Sequence, residues 1–100
     1  MESLNKDLII DYLKQHKNNF NEKYSINKLG LFGSFATNNN SNNSDIDIVY
    51  ETTSKDLTFK QMYQLENELN SYFQRDIDLV NLNYMNPLIK RTAIKDIVYV

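Results

Sequence analysis

Leu29-Gly30-Leu31-Phe32-Gly33-Ser34-Phe35-Ala36, and after it Ser44-Asp45-Ile46-Asp47-Ile48-Val49, are the two stretches that decide this fold. The first reads as a strand that runs into a glycine and then opens a short helical turn. The second reads as a strand with acidic residues on one face. The chain has only two glycines, against an average near ~7%. Both lie in one stretch of four residues, Gly30 to Gly33. A chain that avoids glycine elsewhere needs it here for a backbone reason: a positive φ, or a close approach to the main chain.

Residues two apart in a strand point to the same side. Asp45 and Asp47 therefore share one face, and Ile46 and Ile48 the other. Two carboxylates side by side repel each other and lose solvation, and a bound cation offsets both effects. Mg²⁺ suits such a site, because this hard ion takes carboxylate oxygens together with substrate phosphates. Arg75-Asp76-Ile77-Asp78-Leu79-Val80 repeats the acidic alternation. If that strand lies beside the first acidic one, the ~4.8 Å spacing between neighbours brings a third carboxylate to the same place. Three carboxylates can hold two metals about 3.5–4 Å apart for in-line displacement at phosphorus. Gly33-Ser34 supplies the other half of such a site. Backbone N–H groups at the start of a helical turn bind phosphate, and the Ser34 hydroxyl adds a donor.

Working outward, Ser3 is positioned to cap a first helix that runs to about Lys17, with Leu4, Leu8, Tyr12 and Leu13 as its stripe. Ile26 to Phe32 is the glycine-bound strand, and Asn38 to Asn43 is a polar loop. Asp45 to Glu51 is the second strand. Thr58-Phe59-Lys60-Gln61 forms a capping box for a helix to about Phe73, in which Met62, Leu65 and Leu69 face the core and Tyr63 and Tyr72 are packing residues. Asp76 to Leu82 is the third strand. Asn86-Pro87 opens a last helix, and Asp96 to Val100 is a short final strand or the helix end. The fold class is α+β: a small mixed β-sheet with helices packed mainly on one face, in a single domain over residues 1–100.

Composition excludes several functions. There is no cysteine, so disulfides, thiolate catalysis and cysteine-ligated zinc are ruled out. The net charge of −2 provides no basic field for nucleic acid or anionic membrane. The N-terminus is too charged for a signal peptide or a membrane span, and a cytoplasmic protein is expected. No Walker A loop, Rossmann fingerprint or EF-hand spacing is present. His16, the only histidine, sits near a helix end, where a structural or solvated role is expected.

Gly33-Ser34, ten residues and then Asp45-x-Asp47, with Ile77-Asp78-Leu79-Val80 and the closing Pro87-Leu88-Ile89, resembles the polymerase-β-like nucleotidyltransferases, and among them the minimal nucleotidyltransferase (MNT) domains. The resemblance runs from about Leu4 to the C-terminus. It implies that Asp45, Asp47 and Asp78 are the metal ligands and catalytic residues, with Asp78 helping to deprotonate the acceptor hydroxyl, and that Gly33 and Ser34 bind the nucleotide. Asp76 falls outside the pattern and reads as a surface charge. The resemblance further implies transfer of AMP from ATP, with Mg²⁺ as cofactor, to a hydroxyl of a protein partner. MNT domains of this size are typically antitoxins whose partner is a HEPN-family toxin. Family members commonly continue Gly-Ser-Phe/Tyr-Ala with Arg-Gly, and here Thr37-Asn38 stands instead. Loss of that arginine implies weaker nucleotide binding, or replacement of its charge by Lys90, Arg91 or Lys95. The rival reading is a binding module that neutralises its partner by contact alone.

Overall fold

The computed structural model describes residues 4–53 and 55–100. The order is α1 (Lys6–Tyr24), β1 (Ile26–Phe32), α2 (Gly33–Ala36), β2 (Ile46–Thr52), α3 (Phe59–Phe73), β3 (Ile77–Asn81), a 3₁₀ turn (Leu82–Tyr84), α4 (Pro87–Ala93) and β4 (Val98–Tyr99). The strands form one mixed sheet in the order β3-β2-β1-β4. β1 pairs antiparallel with both β2 and β4, and β2 pairs parallel with β3. The parallel pair requires a crossover, which α3 supplies. The α+β expectation holds.

α1 differs from the expectation at both ends. Ser3 lies outside the described residues, and the N-cap is Asn5, whose side chain accepts the Leu8 N–H at 3.0 Å. The helix continues through Asn18 and Asn19 to Tyr24, because Phe20 and Tyr24 are both buried. Burying one such aromatic is worth about 1.5–3 kcal/mol, which outweighs the ~0.7 kcal/mol or less of poor propensity at each exposed asparagine. Ser25, at φ 57°, ends the helix in the left-handed conformation. The inward stripe is Ile9, Ile10, Tyr12 and Leu13, while Leu8 is exposed.

α3 begins at the expected capping box, with Thr58 and Gln61 bonded reciprocally at 3.1 and 3.0 Å. Its Leu65, Leu69 and Phe73 join Leu29, Leu31, Ile46, Ile48 and Tyr50 in the same core as α1. α1 and α3 therefore cover one face of the sheet. Tyr63 and Tyr72 are exposed rather than packed inside, although the Tyr72 ring lies 4.2 Å from that of Tyr12. His16 stacks on Tyr12 at 3.9 Å and bonds the Tyr12 carbonyl through Nδ1, which is a structural role.

A register shift in β1 between Ile26 and Lys28 turns Ile26 inward beside Leu29, leaving Asn27 and Lys28 exposed. On the opposite face Val49 is also fully buried. There a Cβ on Gly30 would meet Ile97 Cγ2, the Val98 carbonyl and Val49 Cγ2 within 3.0–3.2 Å. Gly30 is thus needed for close packing of the C-terminal segment, not for a turn.

Candidate active site

The parallel register sets Asp47 of β2 directly opposite Asp78 of β3. Asp47 is half-buried, whereas Asp78 is exposed. Asp45 is exposed and lies one residue before β2, outside the ladder but near enough for its charge to act on Asp47. The Ile46 N–H donates to the Asp76 carbonyl at 2.9 Å, tying the starts of β2 and β3 together. Burial pushes the Asp47 carboxyl up from the usual carboxylate range to about 6, helped by the negative charges of Asp78 and Asp45 and by a hydrogen bond with Asp78. Among the described residues, no three His, Asp or Glu side chains converge closely enough to hold a metal ion by themselves. The tight element is the Asp47–Asp78 pair, with Asp45 in electrostatic reach. Asp76 is exposed, as expected of a surface charge.

The shared charge has a measurable consequence. In metal-free protein the Asp47 carboxyl carbon should titrate near 6 by NMR. Asp78→Asn should move that midpoint part of the way down and no further, because burial is the larger cause.

Gly33 stands at φ +73°, the left-handed region that residues with a side chain rarely occupy. A Cβ there would also run into the Asp47 carboxylate, with Cγ at 2.9 Å. Both reasons foreseen for a glycine meet at this one residue, and the group that comes close is the carboxylate of the site itself. The N-cap of α2, Phe32, offers no side-chain hydrogen bond, which leaves the first N–H groups of the turn open to a ligand. A single turn has little macrodipole, so these N–H donors and the Ser34 hydroxyl are what it offers. Both Gly33 and Ser34 are half-buried.

Asn38, at the position where a glycine is usual, adopts φ 61°. Asparagine tolerates that conformation, so the turn survives the exchange. Arg91 and Lys95 are exposed. The residue missed from sequence is Arg75. Its Nη1 donates to the Ser44 carbonyl at 2.9 Å, and its guanidinium carbon lies 5.6 Å from the Phe35 ring centre. No local pattern announces a contact across 31 residues.

Residues 9–100 match the family described as polymerase beta nucleotidyltransferase. A Methanocaldococcus jannaschii protein, provisionally named a protein adenylyltransferase, is 35% identical over 92% of this chain and 94% of its own length. Protein adenylyltransferase MntA of Thermococcus cleftensis is 27% identical over the full length of both chains. Among solved structures, a toxin–antitoxin complex with AMP-PNP contains a chain that superposes with a TM-score of 0.70 at 25% identity, covering 96% of this chain and 72% of that one. With two paired strand aspartates next to a glycine turn, and with a sequence match over nearly its whole length, this chain belongs to the polymerase beta nucleotidyltransferase family.

Proposed function

We propose that this protein is a Mg²⁺-dependent protein adenylyltransferase that transfers AMP from ATP to a hydroxyl of a HEPN-family toxin, acting as the cytoplasmic antitoxin of that pair. The observation that carries this reading is the placement of Asp47 opposite Asp78, with Gly33 leaving room for the Asp47 carboxylate. The relative named protein adenylyltransferase MntA and the toxin–antitoxin likeness with an ATP analogue support it. Residues 1–100 act as one minimal nucleotidyltransferase domain. A partner protein supplies the acceptor.

In this reading Asp45, Asp47 and Asp78, together with substrate phosphate oxygens, would hold the cation. The chemistry of the donor set fits: all are hard carboxylate oxygens, and a cation would relieve the repulsion that Asp78 and Asp45 exert on Asp47. When bound, Mg²⁺ would supply neutralisation of the charge on the phosphates. The open N–H groups at Gly33 and Ser34, with the Ser34 hydroxyl, orient the triphosphate for in-line attack. Asp78, the more exposed of the pair, takes the proton of the acceptor hydroxyl. That oxygen bonds the α-phosphorus and pyrophosphate leaves.

A second reading is an antitoxin that is catalytically weak or inactive and neutralises its toxin by binding alone. Thr37, in place of the usual arginine, favours it. Incubation with α-labelled ATP, Mg²⁺ and the partner toxin separates the two. Wild type should label the toxin, and Asp45→Asn/Asp47→Asn should not. An unlabelled toxin that still forms the complex with wild type would sink the transferase and leave the binding antitoxin.

A further inference from the structure

We propose that Arg75 is the positioning residue of this site: its guanidinium clamps the Ser41–Ser44 loop against α2 and thereby sets Asp45 beside Asp47. The proposal rests on the catalytic reading above. Asp45 lies one residue outside β2, and the β2–β3 ladder begins only at Ile46 and Ile77. Its position therefore depends on the loop that precedes it. That loop is tied mostly to itself, through the Ser41 N–H to Ser44 Oγ at 2.8 Å and the Ser44 N–H to the Ser41 carbonyl at 3.2 Å. Among the described residues, Arg75 is the one side chain from outside the loop that hydrogen-bonds residues 40–45.

Three contacts define the clamp. Nη1 donates to the Ser44 carbonyl at 2.9 Å and reaches the Ser41 carbonyl at 3.5 Å, while the guanidinium stands over Phe35 at 5.6 Å. The Ser44 carbonyl belongs to the peptide unit that leads into Asp45, so the bond fixes the plane from which Asp45 departs. Phe35 is fully buried and belongs to the turn opened by Gly33 and Ser34. Arg75 itself is anchored by its backbone, whose carbonyl accepts the Asn70 Nδ2–H at 2.8 Å, and it precedes the strand that carries Asp78. One planar cation thus joins the phosphate turn, the loop before Asp45 and the base of β3. Lysine, a point charge without a planar fork, can replace only part of this arrangement.

The test compares wild type, Arg75→Lys and Arg75→Met as full chains by three measurements. Hydrogen exchange of the Ser41–Asp45 amides in metal-free protein should accelerate in Arg75→Met, while the amides of α1 and α3 stay as in wild type. Mn²⁺ affinity, measured by electron paramagnetic resonance with a non-hydrolysable ATP analogue present, should weaken about tenfold. Transfer to the partner toxin should lose about 10- to 100-fold in kcat, the scale expected of a small misplacement, with KM for ATP within about threefold. Arg75→Lys should fall between the two. Unchanged loop exchange or unchanged Mn²⁺ affinity in Arg75→Met would overturn the proposal. So would a raised KM for ATP at constant kcat, which would make Arg75 a phosphate ligand instead. Wild type that binds no Mn²⁺ and labels no toxin would overturn the proposed function itself, and this role with it.

Discussion

Asp47→Asn should make the metal-free protein more stable while removing its activity. The sign follows from the titration. Asp47 is held near 6 in the folded chain, above the value of a free carboxylate, so folding favours its protonated form. Below the unfolded value the group is protonated in both states and contributes nothing unfavourable. As pH rises through the window up to about 6, the unfolded chain releases the proton first, and stability falls. Above that window Asp47 is a half-buried anion facing a second one, and it destabilises the fold by about 1–2 kcal/mol after allowance for solvent screening. Asparagine keeps the shape and removes the charge. Its melting temperature at pH 7.5 should rise by roughly 4–8 °C for each kcal/mol recovered in a domain of this size. The gain should vanish near pH 4, where wild-type Asp47 is protonated as well. Transfer should drop by about 10²–10⁴-fold, the loss of several kcal/mol of charge stabilisation at the phosphates. A variant less stable than wild type at neutral pH would show that the Asp47–Asp78 pair is not the strained element described here.

Gly33→Ala should damage both fold and site. An L-residue in the left-handed region costs about 1–2 kcal/mol from its own backbone. The new methyl would also displace the Asp47 carboxylate, whose Cγ lies only 2.9 Å from the Cβ position. Together these effects should lower the melting temperature by about 10 °C, at ~4–8 °C per kcal/mol. Transfer should become undetectable, because the carboxylate proposed to hold the metal and the turn proposed to bind phosphate would move at once. A double variant separates the two causes. Gly33→Ala in an Asp47→Ala background relieves the clash but keeps the backbone strain, so its destabilisation relative to Asp47→Ala alone should shrink by about half. An equal destabilisation in both backgrounds would assign the whole effect to φ and remove the steric argument.

The sequence alone determined the elements whose signals are local. Thr58 and Gln61 announced the start of α3, because a capping box is closed within four residues. Asn86-Pro87 announced α4 for the same reason, and the Ile26–Phe32 strand ended at Gly33 as its letters require. The alternation in Ile46-Asp47-Ile48 assigned the Asp47 carboxylate to one face and core residues to the other, since the period of a strand is fixed at two, whereas Asp45, one residue outside β2, is placed by its loop. Tertiary structure decided what depends on distant partners. α1 outran its asparagines because Phe20 and Tyr24 found a core, and no nearby residue reveals that burial. Tyr63 was turned outward by the same packing. The parallel register that sets Asp47 against Asp78, the pressure of that carboxylate on Gly33, and the reach of Arg75 back to Ser44 all join segments far apart in the chain. A sequence lists which groups are available, but only the folded sheet fixes which of them come within a few ångströms, and the charge and strain of this site arise from those distances.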